Sequence, residues 1–183
     1  LPIALANAVA IVQETKEGTA IFVIGGRTKT ATGISDLHNT TFVFNPKKKA
    51  WSSAANISDG VNTTNFSAGA AVAVGTHSIL ILGGDNGVTF HKIETYLSQI
   101  AKSNSLEEKG RLIAEKNVLN TTHQGFYNGM LLYNTLTDAW TKVGELPFLT
   151  PVTTTAVMWG DDIILSNGEI KPGIRTPNIM LGK

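Results

Sequence analysis

Apolar residues in this chain fall into short runs that are rich in β-branched side chains and end in small residues. Three of these runs align without a gap: Ile21–Arg27, Ile79–Asp85 and Ile163–Glu169. Each has four residues that end a mostly apolar strand, two small residues and then a charged residue. Short runs of this type that are bounded by turn residues predict β-strands. The shared register therefore predicts three strands that end in the same way.

A second strand is predicted immediately upstream of each of these runs. The upstream segments, 6–12, 68–74 and 153–159, contain many alanines and other small residues. Small side chains suit a strand that is crowded on both faces, where larger ones would not fit. We therefore expect these segments to be the inner strands of three equivalent units.

Two further strands are predicted downstream in the first two units. Phe44 is followed by Trp51 at the same spacing that separates Tyr133 from Trp140, with a polar turn between the two aromatic residues in each case. This pattern predicts a hairpin whose aromatic side chains pack between neighbouring sheets. Each complete unit is therefore predicted to be a four-stranded antiparallel sheet.

The combination of a diglycine at the end of the second strand and a spaced aromatic and Trp in the third and fourth resembles the kelch repeat. The resemblance implies an all-β fold, a kelch-type β-propeller. The alternative is a β-sandwich in which the glycine pairs are coincidental. The blades are predicted at about 3–58 and 66–146, with an incomplete third blade at about 152–183.

About three blades cannot close a ring, since propellers have roughly four to eight. We expect the remaining blades of the ring to come from a missing part of a longer chain, although another chain could also supply them. The second blade carries an insertion at about 91–122 in which apolar residues recur at helical spacing. Ser105 with Glu108 forms a potential capping box for a second helix. The insertion is either decoration on the side of the blade or a lid over the ring.

Composition narrows the possible functions. The formal net charge is +1 and only 16% of residues are charged, so the chain offers no basic face for nucleic acid. There is no Cys, which excludes disulfides and thiolate chemistry. No apolar run is long enough to span a membrane, and residues 1–7 lack the basic start of a signal peptide.

Charged residues follow the small pair in all three units. Arg27, Asp85 and Glu169 would open equivalent loops and so surround one mouth of the central channel, where a polar small molecule can bind. Taken alone, Arg27 and Asp85 could equally be solvated surface charges. Pro172-Gly173 predicts a turn that brings Glu169 and Arg175 together.

The segment Asn167–Arg175 indicates a more specific resemblance within the kelch-type proteins. It contains every fixed position of the pattern Asn-Gly-Glu-x-Lys-Pro-Gly-x-Arg, and in this respect the chain is similar to the N-acetylneuraminate (sialic acid) mutarotases. That resemblance implies a six-bladed isomerase without a cofactor that interconverts the α and β anomers of N-acetylneuraminate, a sugar acid, in the periplasm. It also implies catalytic roles for Glu169 and Arg175. The motif lies close to Lys183, and this placement along the chain is similar to that in the cyclically permuted branch of the family.

The residue types of this segment fit such chemistry. Anomer exchange requires proton transfer, for which Glu169 is the candidate, and Arg175 can bind a carboxylate bidentately. Lys171 is a candidate second cation or a solvated lysine. Asn167 either binds a sugar hydroxyl or adopts the positive φ of the glycine that it replaces. No metal site is predicted, because the histidines lack ligand spacing: His38, His77, His91 and His123.

Other classes of function remain possible on this sequence. A non-catalytic kelch module that binds a protein or a glycan would use the same loop face. A sialidase would carry Ser-x-Asp-x-Gly-x-x-Trp boxes, and these are missing. A copper radical oxidase on kelch blades needs a Cys crosslinked to Tyr, which this chain does not have. Trp51, Trp140 and Trp159 are predicted to pack in the core or between blades.

Overall fold

The fold is described by a computed structural model that covers residues 1–183. The chain forms thirteen strands and two helices. The strands are β1 (Val9–Thr15), β2 (Gly18–Ile24), β3 (Arg27–Lys29), β4 (Ser35–Leu37), β5 (Thr41–Asn45), β6 (Ala50–Ala54), β7 (Ala70–Val74), β8 (Ser78–Leu82), β9 (Gly129–Asn134), β10 (Ala139–Glu145), β11 (Thr155–Trp159), β12 (Asp162–Lys171) and β13 (Ile174–Gly182). The helices are α1 (Val88–Lys102) and α2 (Leu106–Thr121). Neither helix is long and apolar enough to cross a membrane.

Three antiparallel sheets follow one another along the chain. The first sheet has the order β1-β2-β5-β6, the second β7-β8-β9-β10, and the third contains β11, β12 and β13. Strands that are consecutive within a sheet pair as neighbours, as local hairpin connections favour. A small hairpin, β3-β4, lies in the connection between β2 and β5 and was not predicted from the sequence. The architecture is therefore a series of similar antiparallel sheets with short insertions.

The first glycine after β2 and the first glycine after β8 are needed because the backbone there has a positive φ and because neighbouring atoms pack closely against it. Gly25 and Gly83 both have φ of 64°, a conformation that a side chain makes costly. A Cβ atom on Gly25 would lie 2.1 Å from the carbonyl oxygen of Phe66, and one on Gly83 would lie 2.0 Å from Cγ2 of Thr150. Asn167 takes the same position in the third sheet with φ of 41°. Asn167 thus adopts the positive φ of the glycine that it replaces, one of the two roles considered for it.

Hydrophobic cores form between adjacent sheets. The first core lies between the first and second sheets, and its members are Ala20, Phe22, Ile24, Ile57, Phe66, Ile79, Ile81, Leu131, Tyr133 and Trp140. The second core lies between the second and third sheets, and its members are Ala70, Val72, Leu80, Leu82, Ala156 and Leu165. Strand β8 contributes to both cores, which explains why its side chains are buried on both faces.

The first strands of the three sheets lie side by side, as their small residues predict. Backbone hydrogen bonds connect them in series: the Ala68 amide donates to the Asn7 carbonyl at 2.8 Å, and the Thr153 amide donates to the Ala68 carbonyl at 2.7 Å. These strands line a cavity of about 370 Å³ whose wall includes Ala8, Ala10 and other small residues. The inner strands therefore surround a central space in a propeller-like arrangement.

The aromatic pairs form as the spacing predicts. The ring centroids of Tyr133 and Trp140 are 5.0 Å apart, and those of Phe44 and Trp51 are 5.1 Å apart. Trp140 Nε1 also donates to the Ala55 carbonyl at 3.0 Å and so links the second sheet to the end of the first. The prediction of burial is wrong for Trp159, which is 75% exposed at the end of β11, because no part of this chain packs over that end of the third sheet.

Two helices occupy the connection between β8 and β9. Ser105 caps α2, and its Oγ accepts a hydrogen bond from the Glu108 amide at 3.2 Å. Helix α1 contacts the β3-β4 hairpin, where Ser98 Oγ donates to the Thr32 carbonyl at 3.2 Å. The helical segment inserted in the second sheet therefore reaches the hairpin inserted in the first.

Candidate active site at the channel mouth

Equivalent backbone bridges hold the residue that follows the small pair in each sheet. Arg27 pairs with Ala6 through hydrogen bonds of 2.8 and 2.9 Å, and Asp85 pairs with Ser67 through bonds of 2.7 and 3.0 Å. Glu169 pairs with Val152 through bonds of 2.8 and 3.0 Å. Because the repeated backbone is the same three times, the three charged side chains start from equivalent positions around the centre.

All three charged side chains line a single cavity of about 220 Å³. Its wall shares Asn7, Ala68 and Thr153 with the cavity of about 370 Å³ that the inner strands line. The other residues of its wall are Leu37, Ser67, Phe90, Phe126 and Val152. We call this space the mouth cavity. It combines one cation and two carboxyl groups with two aromatic rings, a composition that suits a polar ligand with an apolar face.

Glu169 and Arg175 are cross-strand partners in the hairpin β12-β13. Glu169 Oε1 accepts a hydrogen bond from the Gly173 amide at 2.8 Å, and Oε2 lies 3.7 Å from Arg175 Nη2. The Glu169 side chain is 24% exposed and that of Arg175 is 66% exposed. Strand β12 continues through this motif, which the sequence had indicated as a loop, after an irregularity in pairing at Asn167.

The guanidinium of Arg27 is held by the helix that the second sheet contributes. Its Nη1 lies 3.3 Å from Glu94 Oε1 on α1, and its Cζ lies 4.7 Å from the centroid of the Phe90 ring. Glu94 also accepts hydrogen bonds from the amide and the hydroxyl of Ser35, at 2.6 and 3.1 Å. An ion pair and a cation–π contact therefore fix the direction of Arg27.

Asp85 has no ion-pair partner in the chain. Its Oδ1 accepts a hydrogen bond from the Gly87 amide at 2.7 Å. Burial raises the pKa of Asp85 above its ordinary value, although the Gly87 hydrogen bond and the charges of His123 and Arg27 act in the opposite direction. The net effect of these surroundings is a raised pKa of Asp85.

Asp85 also faces a second cavity of about 300 Å³, which it shares with His123 and Tyr127. His123 is buried, and its Nδ1 accepts a hydrogen bond from the Gly125 amide at 3.1 Å. Burial is the main cause that lowers the pKa of His123, opposed by the Asp85 charge and assisted by the charge of Lys171. The neutral ring therefore carries its proton on Nε2.

The remaining candidate residues lie outside the wall of the mouth cavity. Asn167 is exposed at the irregularity in β12, and Lys171 is half-buried at the end of that strand. Arg175 does not line the cavity either, but it reaches Glu169, which does. The structure has no group of three or more His, Cys, Asp or Glu residues that could hold a metal ion.

Several residues of the site were not found from the sequence. Phe90 and Phe126 stand at opposite ends of the helical segment and reach the mouth cavity only because that segment folds back over it. Thr153 has φ of 52°, a strained conformation for a β-branched residue. Ser67 could have been found by extending the repeat alignment upstream to Ala6 and Val152.

These observations define a class: a propeller-like protein of antiparallel sheets with a charged site where its inner strands meet. The sequence comparisons are more specific. The sequence model for N-acetylneuraminate epimerase (NANM) matches residues 4–183. The chain therefore belongs to the N-acetylneuraminate epimerase family.

Curated relatives carry the same description at low identity. The N-acetylneuraminate epimerase of Haemophilus influenzae (strain 86-028NP) is 26% identical over 163 residues, which are 89% of this chain and 42% of the relative. The one from Brucella melitensis is 27% identical over 169 residues, which are 91% of this chain and 42% of the relative. The chain thus spans about two fifths of the length of the curated relatives that it matches.

The fold is similar to that of a solved structure, YjhT. The TM-score is 0.76 at 20% sequence identity, and the match covers 97% of this chain and 48% of that chain. At this identity the likeness concerns the fold. It supports the propeller-like arrangement of the three sheets.

Proposed function

We propose that the protein is a sialic acid mutarotase, an isomerase that interconverts the α and β anomers of N-acetylneuraminate. Membership of the N-acetylneuraminate epimerase family supports the substrate and the class of reaction. The observation that carries the proposal is the position of Glu169. This carboxylate lines the mouth cavity and is oriented by Gly173 and Arg175.

The chemistry requires little beyond proton transfer. Opening the ring of a 2-keto sugar acid removes a proton from the anomeric hydroxyl and adds one to the ring oxygen, and closure on the other face reverses both transfers. Glu169 is the group proposed to exchange the proton of the anomeric hydroxyl. Its hydrogen bond from the Gly173 amide and its proximity to Arg175 hold this carboxyl group in position.

Two arginines supply the anchors for an acidic sugar. Arg175 is largely exposed and separated from Glu169 by 3.7 Å, so its remaining donors are available for a substrate carboxylate. Arg27 lines the cavity, and its Nε and Nη2 donate no hydrogen bond within the protein. Phe90 and Phe126 offer apolar surface to the face of the ring. Asn167 and Lys171 are proposed as outer substrate contacts, because they flank Glu169 on β12.

The proposal also covers the complete ring around the site and the cellular location of the protein. The partial match to longer relatives and to YjhT supports a closed ring of about six blades, of which this chain supplies about three with the helical segment inserted in the second. The family resemblance of the Asn167–Arg175 motif supports a periplasmic location. Cell fractionation of the native host tests that location directly.

The activity is tested by exchange NMR of N-acetylneuraminate with the intact protein, and Glu169→Gln is the decisive variant. We expect the wild type to accelerate exchange between anomer signals and Glu169→Gln to lose at least about 100-fold of the acceleration, the usual contribution of general acid–base catalysis. Glu107→Gln, an exposed substitution at the start of α2, is the matched control. A wild-type protein that binds the sugar without accelerating exchange would instead indicate a glycan-binding module.

A further inference from the structure

A second carboxyl group, that of Asp85, lines the mouth cavity together with Glu169. Asp85 occupies the repeat position in the second sheet that Glu169 occupies in the third, and both are held by the same two-bond bridge to the preceding segment. Both side chains belong to the wall of the one cavity of about 220 Å³. A ligand that fills this cavity therefore contacts two carboxyl groups from neighbouring sheets.

The surroundings of the two carboxyl groups differ. Glu169 has a cation, Arg175, beside it and accepts a backbone hydrogen bond. Asp85 forms no ion pair, and its Oδ2 accepts no hydrogen bond within the protein. Arg27 also lines the cavity, but its charge is paired with Glu94. Burial accordingly raises the pKa of Asp85. Two carboxyl groups in different surroundings can divide the roles of acid and base between them.

We propose that Asp85 is the proton donor that complements Glu169, a role that rests on the proposed function. In ring opening, Glu169 accepts the proton of the anomeric hydroxyl, the bond between C2 and the ring oxygen breaks, and Asp85 gives its proton to the ring oxygen. The product is the open keto form. After rotation about the C2–C3 bond, Asp85 takes the proton back as the hydroxyl attacks C2, and Glu169 returns its proton to the carbonyl oxygen.

Asp85 lines two cavities. One side of the residue faces the mouth cavity and the other faces the cavity that it shares with His123 and Tyr127. The titratable and charged groups that face Asp85 are His123 and Tyr127 from the segment after α2, Arg27 from β3, and Glu169 from β12.

The test is a pH–rate profile of anomer exchange for the intact wild type and Asp85→Asn, with Asp161→Asn as the matched control. Asn is isosteric and still accepts the Gly87 hydrogen bond, but it has no proton to give. Asp161 is exposed in the turn between β11 and β12, away from both cavities. The spontaneous exchange rate at each pH is subtracted.

We expect Asp85→Asn to lower kcat by about 100-fold and to change KM by less than about threefold, a split that separates chemistry from binding. In the wild type, kcat should fall as the pH rises, because Asp85 loses the proton that it must donate. This alkaline limb should be absent from the residual activity of Asp85→Asn and unchanged in Asp161→Asn.

The alternative outcomes are distinct from one another. A wild type with no exchange activity overturns the proposed function and the role of Asp85 with it. An active wild type with Asp85→Asn within twofold of its kcat, or with a raised KM alone, overturns only the role as proton donor. If Asp85→Asn fails to fold, the wild-type profile decides, since a kcat that does not decrease with rising pH excludes a protonated donor.

Discussion

Arg27 Nη1 lies 3.3 Å from Glu94 Oε1, so a charged residue of the β3-β4 hairpin is held by helix α1, which is inserted between β8 and β9 of the second sheet. The Glu94 side chain is 12% exposed and that of Arg27 is 30% exposed. The pair is therefore partly desolvated and stronger than an ordinary surface ion pair. Since Glu94 also accepts two hydrogen bonds from Ser35, it connects the helical segment, the β3-β4 hairpin and the mouth cavity.

Glu94→Gln should weaken substrate binding without affecting proton transfer. Gln keeps the shape and an acceptor for Ser35 but removes the charge that orients Arg27. We expect KM for N-acetylneuraminate to rise by roughly fivefold, the equivalent of about 1 kcal/mol, with kcat within twofold of the wild type. Glu115→Gln, which disrupts an exposed pair on α2, serves as the control and should leave both constants unchanged. A fall in kcat alone would contradict a positioning role for Glu94.

Arg175→Lys should reduce affinity more than it reduces the rate of the chemical step. The guanidinium can donate two parallel hydrogen bonds to a carboxylate, which a lysine ammonium cannot. We expect KM to increase by about tenfold, measured from initial rates of exchange over a range of sugar concentrations. Arg111→Lys, at an exposed position of α2, should behave as the wild type. Equal KM values for Arg175→Lys and the wild type would exclude Arg175 as the anchor.

Stability should depend on pH through Asp85 with a defined sign. Its pKa is higher in the folded protein than in the unfolded chain, so the folded state holds a proton that the unfolded state releases. Folding stability therefore falls as the pH rises above about 3.9, the unfolded value, until the folded value is passed. The stability of Asp85→Asn relative to the wild type should therefore be greater at pH 7 than at pH 3.

The measurement is the thermal midpoint of each variant at intervals from pH 3 to pH 7.5. Asp59→Asn provides a comparison of opposite sign, because backbone hydrogen bonds from Asn62 and Val61 lower the pKa of Asp59. That variant should be less stable than the wild type at pH 7. A difference for Asp85→Asn that is independent of pH would rule out a titrating Asp85 as its cause.

Two glycine substitutions should change stability in opposite directions. Gly83→Ala forces a positive φ on alanine and places a Cβ 2.0 Å from Thr150 Cγ2, so it should cost more than about 2 kcal/mol. Gly110→Ala lies within α2, where an added Cβ meets nothing within 4 Å. It should gain up to about 1 kcal/mol from helix propensity. Urea unfolding of the two variants measures both changes in the free energy of unfolding. A Gly110→Ala variant that is less stable than the wild type would contradict the second prediction.

The site residues that could be predicted from the sequence are those at equivalent positions of the repeat. Asp85 and Glu169 follow the small pair in their units, and the structure places both in one cavity with Arg27. The spacing from Tyr133 to Trp140 predicted a paired hairpin, which is present. Trp159 was misjudged because the repeat pattern shows where a side chain lies on a strand, and burial depends on what packs over it.

Local chemistry explains what could be read from the chain alone. Strand alternation, the glycine requirement at positive φ and the turn at Pro172-Gly173 each depend on a few consecutive residues, so the sequence determined the sheets, their equivalence and the proximity of Glu169 to Arg175. The mouth cavity arises differently. Glu94 reaches Arg27 across 67 positions of the chain, and no short-range pattern encodes such a contact. Only the tertiary structure decided which side chains enclose the site, because that depends on how the helical segment packs against the β3-β4 hairpin.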